Sequence, residues 1–506
     1  MLRTQHRLPR QRGFSGAAPL RRPGSVGYQP AAAAAARSQA GHALTRASEN
    51  ARLIDYERRV KGAFDAIVPT LKQVSSLQHE TDFEARANAL ARQSLGFELP
   101  QQILADAWVE QLDMRRLFAW CVFETYRRFA DEFFSADPLG RIAGTLSADE
   151  FQVLLQDCGF HTLDISPCAD GRLAHVIRYV LRLPYRAVRR KSYAGALFDI
   201  EDSIEKWVET ELLRFREGRP NTSDAATRYL KAVVYHFSSQ DPSHEGCAAH
   251  GSDAMRAAEA GLQRLQAFQQ AIENSFCCGA SIDLLLIGLD TDNDAIRVHV
   301  PDANGDIDLD SYVSAAELYQ QTLSMDARRA EAMISEQVAA CNDAAAGMQT
   351  LITRMLVNNM SQIEYVAEYH GEHYRDIGHA ERFIGAGIGF EEVQLRNLTY
   401  FAYLNTVEEA AQDLDVGIKI FTRLKVKHGL PVPVVISYNY HGNVPGARER
   451  AIEHCQRVEN AMCSRYAELA DKGLLHTLRV VRDCNANGLL EVLGSSVDTQ
   501  AKLEDH

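Results

Sequence analysis

No stretch of this 506-residue chain is apolar for long enough to cross a bilayer. The longest, Ile282 to Leu289, is interrupted by Asp283 and falls far short of the roughly 20 residues that a spanning helix needs. A membrane partner is therefore not expected. Paired, regularly spaced cysteines are also missing. Ten are scattered along the chain, which in a protein of this size argues for a reducing interior and against a disulfide framework. Free thiols of that kind suit metal binding. Calcium loops are absent despite first appearances: Asp290-Thr-Asp292-Asn-Asp294 and Asp302-Ala-Asn304-Gly-Asp306 carry Ala295 and Ile307 at the sixth position, where Gly is needed. Their twelfth positions are Pro301 and Val313 instead of Glu. Gly385-Ala-Gly387-Ile-Gly389 has the wrong spacing for a dinucleotide fingerprint and reads as a flexible connection. A nucleobase deaminase would require a second cysteine in Pro-Cys-x-x-Cys, but Pro167-Cys168 is followed by Ala-Asp-Gly.

Lysine and acid are scarce in one region only. Residues 1–50 hold eight Arg, no Lys and a single acid, Glu49, so this arm carries +7 while the whole chain carries −13, which leaves −20 on the rest. Rich in Ala, Gly, Pro and Ser, the arm cannot bury enough apolar surface to fold alone. An organellar transit sequence, a nucleic-acid arm and a docking arm for an acidic protein surface all fit such a composition. Arg without Lys favours recognition of carboxylates, hence docking over a nucleic-acid partner, and leaves the transit reading open.

Cys168, Asp170 and Arg172 alternate in Ser-Pro-Cys-Ala-Asp-Gly-Arg. Thr162 to Ser166 reads as a short strand ended by Pro167, and Leu173 to Leu183 reads as a helix. A strand end, a tight loop and a helix start are where α/β folds put their chemistry. The same layout returns downstream. Leu230 to Phe237 is a β-branched and aromatic run with His236 near its end, Ser238 to Ser252 is a polar loop containing Cys247, and Asp253 to Phe276 is a long helix capped by Ser252 or Asp253. Two thiolates and one imidazole give Zn2+ three tight bonds and leave the fourth tetrahedral position open, the composition of a catalytic site. Asp170 can then accept a hydrogen bond from a water at that position, and Arg172 can hold Asp170 ionised through a bidentate pair. His236, at a stiff strand end, is the preferred imidazole. His244, three residues before Cys247, competes for the role, and His250 reads as a loop residue, with the part of proton shuttle as a guess.

Cys168-Ala-Asp170-Gly-Arg172, Tyr235-His236-Phe237-Ser238-Ser239, Cys247-Ala-Ala-His250-Gly251 and the stretch from Ile287 to Pro301 together resemble the carboxysome shell carbonic anhydrases, the ε class, divergent relatives of the β class. The resemblance runs from about residue 50 to the end of the chain. It implies that Cys168, His236 and Cys247 are ligands of one Zn2+ per chain and that Asp170 and Arg172 form a catalytic dyad. It further implies reversible hydration of CO2 to bicarbonate by zinc-bound hydroxide, with activity favoured at neutral to alkaline pH. The implied location is the carboxysome, in the lumen or on the inner shell face. Rubisco bound through the basic arm, shell proteins and a second copy in a homodimer or higher oligomer are the implied partners. A zinc-stapled scaffold without activity and another zinc hydrolase are the alternatives.

At 506 residues the chain is too long for one compact core. After the disordered basic arm, residues 1–50, comes an all-helical domain, 51–138, marked by Leu53, Tyr56, Val60, Phe64, Ile67 and Leu71 at helical spacing. An α/β zinc domain similar to β-class carbonic anhydrases follows, 139–390, with long helices from Leu318 to Tyr369. The last region, 391–506, repeats strand, His441-bearing loop and helix, and holds Cys455 but no Cys-x-Asp-x-Arg. It reads as a degenerate copy of the catalytic unit that covers the sheet, within an overall α+β or α/β class.

Overall fold

The computed structural model describes residues 41–45, 47–107, 111–136, 146–184, 188–222, 225–276, 281–390, 394–404, 411–485 and 488–498. Most of the Arg-rich arm, and residues 138, 139 and 391 where the sequence sets domain limits, lie outside the described residues. The fold described below is that of the compact unit that begins at His42.

Its first part is helical. Leu53, Tyr56, Val60 and Phe64 line the buried side of the helix Ala47–Asp65, and Ile67, Leu71 and Val74 that of the helix Ile67–Ser76. Three- and four-residue steps put these side chains on one stripe, and burying each large one contributes about 1.5–3 kcal/mol. The helix Met114–Ala136 adds Leu117, Cys121 and Phe123. The same core contains Phe383, Val435, Leu478 and Val480, so the helical block rests on one face of the second sheet described below.

The first sheet comprises β1 (Thr162–Pro167), β2 (Arg189–Arg190), β3 (Arg228–Phe237), β4 (Ser281–Asp290), β5 (Ile296–His299) and β6 (Tyr312–Ser314). Their order across the sheet is β2-β1-β3-β4-β5-β6. The pairs β2–β1, β1–β3 and β3–β4 are parallel; β4–β5 and β5–β6 are antiparallel. Parallel strands are covered on both faces, which explains why β3 is buried from Tyr229 to His236. Its one interior lysine, Lys231, is neutralised by Asp164 at 2.8 Å and also donates to Ser166 at 2.9 Å. The helices Ile200–Arg216, Ala254–Ser275 and Ala346–Tyr369 pack around this sheet. Register decides what happens at the strand ends: Pro167 pairs with Val234 and His236 with Leu289. Cys168, one residue past β1, therefore lies alongside the His236 end of β3.

The second sheet comprises β7 (Phe383–Gly387), β8 (Thr399–Ala402), β9 (Val432–Tyr440), β10 (Leu475–Asp483) and β11 (Glu491–Ser495), in the order β11-β10-β9-β7-β8. All its pairs are parallel except β10–β11. The two sheets repeat one plan along the chain: two outer parallel strands, a helix, a strand, a helix, a parallel strand and an antiparallel edge. The helices Ala411–Leu424 and Ala447–Arg465 take the places of Ile200–Arg216 and Ala254–Ser275.

Two expectations are corrected. Leu173 to Leu183 is no α-helix: a 3-10 turn, Gly171–Leu173, is followed by a π-helical turn, Val176–Val180. The tertiary bonds of Arg172 and the buried contact of His175 with Asp294, at 2.7 Å, hold the chain in this irregular course. Gly385 to Gly389 is no flexible connection either, because Gly385 and Gly387 lie in β7, an inner strand buried throughout. Gly387 has φ of +107°, and a Cβ there would stand 2.4 Å from the carbonyl oxygen of Ser437. The glycines let two backbones approach.

Candidate metal centre

Three elements of the first sheet converge on one point. Cys168 follows β1, held by its N–H donating to the Val234 carbonyl at 3.0 Å. His236 closes β3. Cys247 ends the polar loop and starts the turn Ala248–His250. One donor atom from each of Cys168, His236 and Cys247 lies within 4.8 Å of the others, and all three residues are buried. Both ring nitrogens of His236 lack a hydrogen-bond partner among the described residues. An orphaned buried polar atom costs about 1–3 kcal/mol, so a bond to a metal is the partner this ring is set up for. Two sulfurs and one imidazole are a donor set that suits Zn2+.

The two thiols shift each other in opposite directions. A hydrogen bond to Cys247, reinforced by burial, pushes Cys168 well above the usual thiol range. Cys247 is moved down, first because Cys168 donates to it, against the effect of burial, and then because the N–H groups of Ala249 and His250 point at its sulfur. One of the two sulfurs is thus stabilised as the anion that a metal requires.

Asp170 and Arg172 stand beside the sulfurs. Asp170 Oδ1 accepts from the backbone N–H and Nε of Arg172, both at 2.9 Å, and Oδ2 accepts from the guanidinium at 2.7 Å. The remaining Arg172 N–H groups go to the carbonyls of Glu245, Ile377 and Gly246 at 2.6, 2.9 and 3.4 Å. With every donor engaged, the guanidinium cannot swing away. Burial opposes ionisation of Asp170, but Arg172, His379 and His236 outweigh it and hold the carboxyl well below its ordinary range. Its Oδ2 lies 3.5 Å from His236 Nε2.

The competing imidazole is elsewhere. His244 is mostly exposed and bonds Asp241 at 2.8 Å. His250 is tied to the Gly195 carbonyl at 3.1 Å. The rejected calcium stretch is turned inwards: Asp290, Asp292 and Asp294 are buried and accept bonds from Ser239, Gln240 and His175, among others. Asp294 meets His175 directly behind the Asp170–Arg172 turn.

Residues the sequence did not single out complete the site, two of them from the segment just before β7 and the others from the C-terminal region. His379 Nε2 lies 3.7 Å from Asp170 Oδ2, and its Nδ1 lies 2.9 Å from Glu381 Oε1. Burial would lower His379, yet Asp170 and Glu381 push it up to about 9. Cys168, Asp170, His236, Cys247 and His379 border a cavity of about 20 Å3, room for roughly one water-sized molecule. Its remaining wall is largely apolar: Ala248, Ala249, Tyr400, Val416 and Ile420. Tyr400 lies on β8 and Val416 and Ile420 on the helix Ala411–Leu424, so the second sheet's unit forms part of the site as well as packing material. The alternation His379-Ala-Glu381 is the one local signal, and nothing in it points to Cys168 more than two hundred residues earlier.

Known proteins resemble this chain in sequence over most of their length. Family models described as carboxysome shell carbonic anhydrase match three consecutive parts of the chain: N-terminal at 42–134, catalytic domain at 150–379 and C-terminal at 380–497. A carboxysome shell carbonic anhydrase of Parasynechococcus marenigrum (strain WH8102) is 58% identical over 458 residues, 90% of this chain and 79% of the relative. Its counterpart in Prochlorococcus marinus (strain MIT 9313) is 56% identical over 459 residues, covering 90% and 89%. That of Halothiobacillus neapolitanus is 46% identical over 447 residues, covering 86% of each. With the same three-part match along its length and identity at this level, the chain belongs to the carboxysome shell carbonic anhydrase family.

Proposed function

We propose that this cavity carries out the reversible hydration of CO2 to bicarbonate, with Cys168, His236 and Cys247 holding one Zn2+ and Asp170 and Arg172 acting beside it. The observation that carries the reading is the convergence of two buried thiols and a buried imidazole, whose nitrogens have no hydrogen-bond partner among the described residues, next to an ionised, clamped carboxylate in a water-sized cavity. When bound, Zn2+ supplies the Lewis acidity that lowers the pKa of a water to about 7, for which carbonic anhydrase is the standard example.

The protein's own residues then have defined tasks. Asp170, ionised, accepts the hydrogen of the attacking oxygen and so turns a lone pair towards the carbon of CO2. Arg172 keeps Asp170 ionised and fixed. An anion with no hydrogen to donate to Asp170 is disfavoured at the same place. Val416 and Ile420, with the methyl groups of Ala248 and Ala249 at the exposed rim, offer an apolar surface to an apolar substrate. Exchange of isotopic oxygen between CO2 and water by the purified full-length protein, measured beside its zinc content, tests this. Zinc without exchange would make the protein a zinc-stapled scaffold.

The names of the relatives place them at the carboxysome shell, and we read this chain as residing there, in the lumen or on the inner shell face, as a homo-oligomer in contact with shell proteins. The +7 arm, which precedes the described unit, suits docking to the acidic surface of Rubisco. Many exposed Arg–carboxylate contacts are individually weak and screened beyond about 8 Å at physiological salt. His42, Glu49 and Asn50, which the sequence assigned to a disordered arm, belong to the folded unit, with Glu49 on Arg182 at 2.5 Å. Deleting residues 1–40, with seven Arg and no acid, should therefore abolish binding to Rubisco and leave hydration intact, and full-length binding should weaken steeply between roughly 50 and 300 mM salt. Native protein that begins near residue 40 to 50 would instead identify the arm as a cleaved transit segment.

A further inference from the structure

The cavity needs a way out for the proton, and the structure offers one on the side opposite the sulfurs. His379 borders the cavity with one edge and keeps 22% of its side chain exposed on the other. Its Nδ1 faces Glu381 Oε1 at 2.9 Å. Glu381 is fully buried and also receives the N–H of Gly171 at 3.1 Å, between Asp170 and Arg172. Only glycine permits this. A Cβ on residue 171 would stand 2.4 Å from Glu381 Cγ. Glu381 therefore touches two parts of the site at once: the turn that carries Asp170 and the ring that faces it.

We infer that Glu381 is a positioning residue that fixes the tautomer of His379, and that His379 relays the proton between the cavity and solvent. This rests on the reading of the cavity as a hydration site. A carboxylate at Nδ1 keeps a hydrogen there in both charge states, so the proton that comes and goes is the one on Nε2, which faces Asp170 and the cavity. Hydration of one CO2 by one water yields bicarbonate and one proton. Nε2 takes that proton and becomes part of an imidazolium, the ring turns or opens to solvent, and a buffer base removes it; only O–H and N–H bonds change. In the reverse direction the imidazolium delivers the proton and CO2 and water leave. The charged groups around the ring are Asp170 and Glu381, which favour the imidazolium, and Arg172, which opposes it. A dication held by the three donors would add to the opposition. At neutral pH the protonated ring serves the dehydration direction, the one that releases CO2.

Full-length zinc-loaded protein tests the relay. In dilute buffer, His379→Ala and His379→Gln should lower kcat by roughly tenfold or more in both directions, because proton transfer by a placed base contributes about 10²-fold upwards. The value of kcat/KM, set by the carbon–oxygen step, should stay within roughly twofold, and added imidazole should restore kcat. Glu381→Ala should reproduce that split, and in spectra of 15N-histidine-labelled protein the His379 ring should lose its Nδ1–H form, independent of turnover. Gly171→Ala, which displaces Glu381, should do the same. Unchanged kcat in both His379 variants, failure of imidazole to rescue, or kcat and kcat/KM falling together would overturn the relay. Wild-type protein without zinc or exchange activity would overturn the hydration reading, and the relay with it.

Discussion

The two sheets share a strand order and a chain path but not a chemistry. Where β1 runs into Cys168, its counterpart β7 runs into Ile388, an exposed aliphatic residue with no donor atom. Where β3 ends on His236, β9 ends on Asn439 and Tyr440, and the next residue, His441, is held by Asn485 at 2.9 Å near the surface. Cys455 is buried on the helix Ala447–Arg465 with its thiol on the Val480 carbonyl, and burial pushes it up to about 12. A parallel sheet brings strand ends together, but which side chains stand there decides whether they hold a metal. Freed of that task, the second unit supplies part of the other wall: Tyr400, Val416 and Ile420.

Breaking the first sheet's set should have the largest effect. Cys168→Ala is expected to lose both zinc and hydration, while His441→Ala, at the matching end of the second sheet, should change neither. A zinc-replete Cys168→Ala enzyme with normal turnover would remove the site from this account. Asp170→Asn should keep its zinc and lose about 10²-fold or more in turnover, because an amide can donate where a carboxylate must accept. Retained turnover at full zinc content would make Asp170 a bystander.

The smallest effect sharpens the contact between the two units. Asp413, at the start of the helix Ala411–Leu424, accepts the N–H of Ala194 at 2.6 Å, and Ala194 borders the cavity. Burial raises this carboxyl to about 6, against the Ala194 N–H and Lys191, which lower it. An acid raised above its unfolded value of about 3.9 stabilises the fold fully below that pH and loses the contribution as pH rises through the folded value. Wild-type protein should therefore lose up to about 3 kcal/mol relative to Asp413→Asn between roughly pH 4 and pH 7. Thermal melts of both proteins across that range read the difference, and parallel melting curves at every pH would show that Asp413 keeps an ordinary pKa in the fold.

The comparison also shows what a sequence makes legible. Local periodicity marked the helical block, β3 and β9, because burial of a stripe or a strand is written in neighbouring residues. Spacing brought forward Cys168, Asp170 and Arg172, which lie within five residues of one another. His236 and Cys247 were found as the end of a strand and the loop after it. The contributions of His379, Glu381 and Val416 were not legible, because they depend on how one sheet packs against another. The glycines of β7 misled for a related reason: their value lies in the Ser437 backbone they approach, not in their own neighbours. Leu173 to Leu183 has helical periodicity, yet the bonds made by Arg172 and His175 set its course.

Zinc content per chain, measured on purified wild type, His236→Ala and His244→Ala, tests the central claim most directly. One zinc per chain in wild type and in His244→Ala, with none in His236→Ala, is the predicted result. Zinc retained in His236→Ala and lost in His244→Ala would move the ligand to the surface loop and contradict the site.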